Sequence, residues 1–325
     1  MLYIRPAFFD KFKCIANKCT DSCCVGWEIN IDDETIDVYK NMQTTFGEKI
    51  RENIIKNDDA THSFKLCEDE RCPFLNKNNL CDIILNCGED SICYICQEHP
   101  RFYNDFSGVT EYGLGLCCEE VCRLLIENDN VLDFIVEEDC LDDSYYDENE
   151  VAYYKELCRL REHFYKVLSA EENYGEKMKR IVALIEEYLK EKMVFDSDKV
   201  ILARYEKTEP INNEWTEYLV DLTENISSIL EKETPFDFDS NGDKKYSKIL
   251  SYVIFRHLIK SIIVDDKSLK STLNFCVSSV RFIKLCDMKT YYENGVITLK
   301  DRIDNIKRWS KQIEYSDENV DLLTF

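Results

Sequence analysis

Thirteen of the 17 cysteines in this 325-residue chain lie at or before Cys122; only Cys140, Cys158, Cys276 and Cys286 follow. That lopsided distribution restricts the fold more than any other feature. Buried thiols scattered through a core would not gather in the first third of a chain, and disulfides are disfavoured in a reducing compartment. Sulfur so concentrated implies a local task, and the task thiolates do best is to bind Zn²⁺, Cu(I) or iron–sulfur iron, a match of soft ligand to soft or borderline metal.

The cysteines fall into four blocks. The first is Cys14-x4-Cys19-x3-Cys23-Cys24, followed by Gly26-Trp27. The second is Cys67-x4-Cys72-Pro73-Phe74-Leu75 and then Cys81. The third holds Cys87, Cys93-x2-Cys96 and His99-Pro100-Arg101, and the fourth is Cys117-Cys118-Glu119-Glu120-x-Cys122. A site needs about four such ligands. Adjacent cysteines point different ways, so Cys23 and Cys24 serve two sites or one of them supports the other's metal. Only Cys93–Cys96 has plain C-x2-C spacing, so neither a paired-knuckle zinc finger nor a C-x3-C-x2-C cluster run is present.

The rest of the chain argues for helix. There are only 9 Gly and 5 Pro, with 44% hydrophobic residues, which suits a globular, mainly α protein. Helices are expected from about Asp33 to Ile55, capped by Asp32 or Asp33, and from about Glu119 to Glu127. Residues 137–150 carry eight acids and no base and read as an acidic linker. Beyond it, apolar stripes at three- and four-residue spacing run through Val151–Leu168, Met178–Leu189, Trp215–Ile229, Tyr246–Leu258, Leu269–Leu285 and Leu299–Ile313, each more in keeping with core than with a cofactor box. The fold expected is therefore an irregular Cys-rich metal-binding module at 1–136, a linker at 137–150 and an all-helical domain at 151–325.

A net charge of −23 repels phosphate backbones and tolerates or steers a cationic partner such as a lysine side chain. No stretch approaches the ~18 apolar residues of a membrane span, and the opening residues lack the apolar core and cleavage site of a secretory signal. A cytoplasmic protein without nucleic-acid or membrane partners is expected.

The run from Phe12 through Cys14, Cys19, Asp21, Cys23, Cys24, Gly26, Trp27, Ile29, Ile31, Asp32 and Thr35 to Tyr39 resembles the opening of the flagellin lysine-N-methylase family. Cys72-Pro73-Phe74-Leu75-x4-Leu80-Cys81-x-Ile83 is similar to that family's second block. Gly88-Glu89, Cys96-x2-His99-Pro100-Arg101 and Leu116-x-Cys118-x-Glu120-x2-Arg123 follow in the family order, with Cys117 and Glu119 where the family has Ser and Pro. Ser310 through Ile313-Glu314-Tyr315-Ser316 to Asn319 resembles its closing signature. The resemblance implies methyl transfer from S-adenosylmethionine to lysine amines of flagellin, and an iron–sulfur cluster (4Fe-4S, with zinc as the alternative). Carried over by position, the metal-ligating set is Cys14, Cys19, Cys23, Cys24, Cys72, Cys81, Cys96 and Cys118. That is more than one four-iron cluster can use.

A lysine amine attacks only when neutral, and its free pKa is near 10.4. Glu28, His99, Glu111, Glu119 and Glu120 are the candidate bases near the cysteine blocks. Arg101 and Arg123 are candidates for a cofactor carboxylate, against internal salt bridges. No G-x-G-x-x-G marks a dinucleotide-type fold. The alternatives are a non-enzymatic helical binding protein stapled by metal, and a redox or metal-handling protein with exposed thiolates.

Overall fold

The computed structural model describes residues 1–26, 28–128, 133–139, 147–232, 240–263 and 268–324. The chain is mainly helical. In order, the elements are β1 (Leu2–Pro6), β2 (Asn30–Ile31), α1 (Asp33–Asn41), α2 (Thr45–Glu52), β3 (Ile54–Lys56), β4 (His62–Phe64), α3 (Asp82–Cys87), α4 (Tyr94–Glu98), β5 (Arg101–Phe106), β6 (Val109–Leu114), α5 (Glu119–Glu127), β7 (Phe134–Glu138) and α6 (Glu148–Leu168). Then come α7 (Tyr174–Leu189), α8 (Asp198–Tyr205), α9 (Asn213–Glu231), α10 (Ser240–His257), α11 (Lys260–Ile263), α12 (Leu269–Asn294), α13 (Leu299–Ile313) and α14 (Asp317–Thr324). Among the described residues no helix is long and apolar enough to cross a membrane.

The chain forms two compact units. The larger comprises Met1–Phe12, Tyr103–Cys117 and Val121–Phe325; the smaller comprises Lys13–Phe102 and Cys118–Glu120. Of the acidic stretch at 137–150, Glu137 and Glu138 end β7 and Glu148 begins α6, while residues 140–146, with Cys140, lie outside the described residues.

In the larger unit, a sheet of order β5-β6-β1-β7 meets a bundle of helices. β1 pairs in parallel with β6 (Leu2 opposite Val109) and antiparallel with β7 (Leu2 opposite Glu138). Ser107-Gly108 turns β5 into β6, and Gly108 has φ +79°, a conformation glycine adopts without penalty. The apolar stripes form α6, α7, α9, α10, α12 and α13. α12 is buried along almost its whole length, including Phe275, Cys276, Phe282 and Cys286, and it packs against α8, α9, α10, α13 and α14. Its weak sidedness follows, because a helix covered on all faces needs no polar stripe. Its chain reverses at Gly295, φ +71°, a left-handed C-terminal stop.

The smaller unit has a sheet of order β2-β4-β3 and a core of Ile31, Ile36, Tyr39, Ile50, Phe64, Phe74 and Ile83. Phe64 and Phe74 meet edge to face with centroids 5.0 Å apart. Each such ring contributes about 1.5–3 kcal/mol by leaving water. The single helix expected from Asp33 to Ile55 is two helices and the start of a strand. Asp32 caps α1, accepting from Thr35 N at 2.9 Å, and Thr44 caps α2, accepting from Gly47 N at 3.0 Å. The backbone is extended at Met42 (ψ 107°). Arg51 Nη1 donates to the Tyr39 and Met42 carbonyls at 2.9 and 2.8 Å, which satisfies the end of α1. A threonine able to start a new helix, with an arginine able to finish the old one, outweighs an apolar period that runs through both.

Candidate functional site

All eight cysteines of the expected ligand set belong to the smaller unit. Cys72 is buried, Cys19, Cys24, Cys81, Cys96 and Cys118 are half-buried, and Cys14 and Cys23 are exposed.

One group is built into the core. Cys72 and Cys93 are buried members of the Phe64–Phe74 cluster, and Cys24, Cys81, Cys87 and Cys96 pack against it. Backbone pairing brings them there. Cys72 N donates to the Cys24 carbonyl at 2.8 Å, beside a bridge between Val25 and Arg71. A second bridge joins Leu75 to Cys81, and Asp82 N donates to the Phe74 carbonyl at 2.8 Å. The third block is fastened by residues of the first. Asp32 also accepts from Tyr94 N at 2.8 Å, and the Tyr39 hydroxyl donates to the Ser91 carbonyl at 2.7 Å. This sets Cys93 at the start of α4, with its sulfur 3.3 Å from that of Cys96. That is a thiol–thiol hydrogen bond, well beyond the ~2.05 Å of a disulfide.

The other group gathers around Glu119. Its Oε2 accepts from Thr20 N at 2.7 Å, from Thr20 Oγ1 at 2.6 Å and from Cys19 Sγ at 3.5 Å. Cys118 therefore stands beside Cys19 although their blocks are far apart in the sequence. Cys19 feels the charges of Glu119 and Cys118, and Cys23 those of Cys24, Cys14 and Cys118.

Backbone amides are aimed at several sulfurs: Ala16 N at Cys14 Sγ, 3.4 Å, Asp21 N at Cys19, Phe74 N at Cys72, Ile84 and Ile83 N at Cys81 and Cys96 N at Cys93. Such donors favour the thiolate, the form that binds metal. Burial opposes them, pushing Cys19 and Cys72 up to about 12. In each hydrogen-bonded pair one proton leaves easily and the second is held. The bond from Cys23 draws Cys24 down to about 7, while Cys23 rises. The bond from Cys96 lowers Cys93, while Cys96 rises. Among the described residues no group of three or more His, Cys, Asp or Glu side chains is placed to hold a metal ion. Rotation about one χ1 bond moves a sulfur by about 3 Å.

Trp27 lies outside the described residues. Cys67 is exposed, and Cys117 and Cys122 are buried in the larger unit. The carried-over set omitted Cys93; its signal in the sequence was the C-x2-C spacing to Cys96.

Of the candidate bases, Glu111 is fully buried and engaged. Its Oε1 accepts from Tyr154 Oη at 2.7 Å and from Arg161 Nη2, and its Oε2 from Arg161 Nη1 at 2.8 Å. Such a carboxylate is held as a counter-ion. Glu119 is held by Thr20, Glu28 is exposed, Glu120 is buried, and His99 ends α4 by donating its N–H to the Ile95 carbonyl at 3.1 Å. Arg123 pairs with Glu127, and Arg101 donates to the Gln97 carbonyl at 2.9 Å.

The closing signature builds a buried polar knot that sequence reading did not anticipate. Glu314 meets Arg256 Nη1 at 3.3 Å, His257 Nε2 at 2.9 Å and Ser310 Oγ at 2.5 Å. Burial works against this carboxylate, but the Arg256 charge and the hydrogen bonds outweigh it and hold its pKa below the usual range. Burial also draws His257 down to about 4. Asn319 donates to the Glu209 and Gln312 carbonyls, both at 2.9 Å. These residues tie helices together.

No family model and no solved structure matches the chain. Among curated proteins, it is 28% identical over 133 residues to a lysine-N-methylase of Salmonella typhimurium, a stretch covering 39% of this chain and 33% of that protein. It is 28% identical, again over 39% of its length, to the flagellar biosynthetic protein FliU of Salmonella muenchen, of which 79% is covered. A lysine-N-methylase of Salmonella choleraesuis is 27% identical, with 33% covered. The match thus spans about a third of the length of the two methylases. Over that stretch the chain is similar to proteins named lysine-N-methylase and FliU, in agreement with the family resemblance carried by its cysteine blocks.

Proposed function

We propose that the chain is a protein lysine N-methyltransferase acting on flagellin, with S-adenosylmethionine as methyl donor and a thiolate-bound metal, an iron–sulfur cluster in preference to zinc, in its smaller unit. The observation that carries the reading is the similarity to proteins named lysine-N-methylase and FliU. The donor set supports the metal. Nine sulfurs (the eight of the family pattern and Cys93) lie within one unit, several with amide donors, in keeping with soft-metal binding. A subset of Cys14, Cys19, Cys23, Cys24, Cys72, Cys81, Cys96 and Cys118 would hold it.

S-adenosylmethionine supplies a methyl group on a sulfonium; the carbon–sulfur bond breaks as the carbon–nitrogen bond forms, S-adenosylhomocysteine departs, and the lysine nitrogen loses one proton. The protein's part is to bring in a cationic side chain and hold it neutral. The net charge of −23 draws in cations, and desolvation lowers an amine's pKa. Glu111 and Glu119, fixed by their partners, position structure and do not take that proton.

The test is to incubate the anaerobically purified chain with unmodified flagellin and S-adenosylmethionine and to read lysine methylation by mass spectrometry, with cofactor binding measured by calorimetry. Methylated flagellin supports the reading. Absence of both binding and methylation ends the enzyme reading and leaves a metal-stapled helical binding protein.

A further inference from the structure

We infer that Cys93 and Cys96 form a thiol–disulfide exchange site: a dithiol that a low-molecular-weight disulfide oxidises, reversibly, to an intramolecular Cys93–Cys96 disulfide. This stands apart from the metal reading, since Cys93 is outside the eight positions of the family pattern. Geometry selects the pair. The two sulfurs are 3.3 Å apart, so a bond of ~2.05 Å needs an approach of about 1.2 Å, less than half of what one χ1 rotation supplies. Cys23 and Cys24, also hydrogen-bonded to each other, do not close so simply. Adjacent Cα atoms lie ~3.8 Å apart, short of the ~4.4 Å at which ordinary disulfides begin.

The scaffold keeps the two sulfurs together. Cys96 N donates to the Cys93 carbonyl at 2.9 Å and Gln97 Nε2 to the Ile92 carbonyl at 2.7 Å, while Asp32 and Tyr39 hold the turn in front of α4. Access separates their roles. Cys93 is buried in the Phe64–Phe74 core and Cys96 is half-buried. Tyr94 and Ile95, between them, are 62% and 47% exposed, so the turn lies at the surface. The Cys96 sulfur therefore meets the incoming disulfide, R–S–S–R. As a thiolate it attacks; a Cys96–S–S–R bond forms, and R–S⁻ leaves and takes up the proton that Cys96 gave up. The Cys93 sulfur then attacks the Cys96 sulfur from the core side, loses its own proton, and expels the second R–SH. Two protein thiols are oxidised and one R–S–S–R is reduced to two R–SH; excess R–SH runs the sequence backward.

The test equilibrates the reduced full chain, anaerobically, with mixtures of 2-hydroxyethyl disulfide and 2-mercaptoethanol, an uncharged couple that a net charge of −23 does not repel. Acid quenching, alkylation of the remaining thiols and peptide mass spectrometry then read each cysteine. The expected result is that Cys93 and Cys96 lose alkylation together, at a disulfide-to-thiol ratio that leaves Cys81 and Cys87 alkylated, and regain it in excess thiol. In Cys93→Ser, Cys96 should instead carry the mercaptoethanol mixed disulfide; in Cys96→Ser, the buried Cys93 should stay a free thiol. The inference is overturned if the pair stays alkylated at every ratio, if Cys96 of the parent stops at the mixed disulfide, or if Cys93 is captured in Cys96→Ser. Should Cys93→Ser fail to fold, because Cys93 packs in the core, the parent and Cys96→Ser decide. Metal content of the purified chain, by elemental mass spectrometry, reports on the metal reading separately. Bound metal with a pair that never closes overturns the exchange site and leaves that reading standing; a pair that closes in a chain without metal does the reverse.

Discussion

Glu314→Ala should destabilise the larger unit far more than any surface charge change. The Glu314 side chain is fully buried, and those of Arg256 and His257 are 7% and 2% exposed. Truncation leaves the Arg256 guanidinium out of water without its counter-ion, and strips Ser310 and His257 of their acceptor. Breaking a buried pair from one side costs about 3–5 kcal/mol, because the remaining charge is uncompensated. For a unit of this size, each kcal/mol moves Tm by roughly 2–4 °C, so the loss is on the order of 10 °C. Thermal unfolding followed by far-ultraviolet circular dichroism measures it. Glu176→Gln on α7 is the control, since both it and the Lys179 of its i,i+3 pair are exposed and such pairs contribute only about 0.2–0.5 kcal/mol. Replacing both partners, Arg256→Met with Glu314→Leu, should recover part of the loss, since an apolar pair leaves no orphaned charge. If Glu314→Ala and Glu176→Gln melt together, the buried pair is not what binds α10 to α13.

Acid should weaken the same knot. His257 sits at about 4 when folded, against 6.5 as the ordinary value, so between these pH values the unfolded chain holds more protons and stability falls as pH drops from 6.5 toward 4. The loss approaches about 3 kcal/mol, and urea unfolding across that window should show a flatter profile in His257→Gln. Gly47→Ala should cost about 1–3 kcal/mol of stability, because a Cβ there would come within 2.6 Å of the Met42 carbonyl oxygen, a backbone atom with little room to move; a melting temperature equal to the parent's would show that the α1–α2 joint yields. Glu111→Gln should lower stability by a few kcal/mol through the stranded Arg161 charge and leave the pH dependence of any methylation rate unshifted; a moved pH profile would make Glu111 a proton acceptor after all.

Long helices were legible in the sequence because their stripes persist for many turns. α6 and α13 lie where the periodicity of Val151–Leu168 and Leu299–Ile313 put them, and α5 runs from Glu119 to Glu127 as expected. α8 has only eight residues and carried no such signal. The four-stranded sheet was hidden for a different reason: β1 finds its partners at Val109 and Glu138, pairings that no local pattern encodes. Part of the acidic stretch read as linker has a structural use, since Glu137 of β7 accepts from Arg5 Nη2 at 2.7 Å. At the thiols, spacing revealed the donors but not their company. Nothing within Cys23-Cys24 says that the Cys24 carbonyl will accept from Cys72 N, or that Cys23 will feel the charges of Cys14 and Cys118. Backbone hydrogen bonds between distant blocks decide that.

β1 is an inner strand of its sheet, yet the segment that follows it, Lys13–Phe102, belongs to the other unit. A ribosome therefore finishes nearly all of the thiol-bearing unit while β1 still lacks both of its neighbours. Nascent chains stalled at the length where Phe102 has just cleared the ribosomal exit tunnel should already resist protease across residues 28–102, whereas Leu2–Pro6 should become protected only once β6 and β7 have emerged. Assembly would then run from the inserted piece outward.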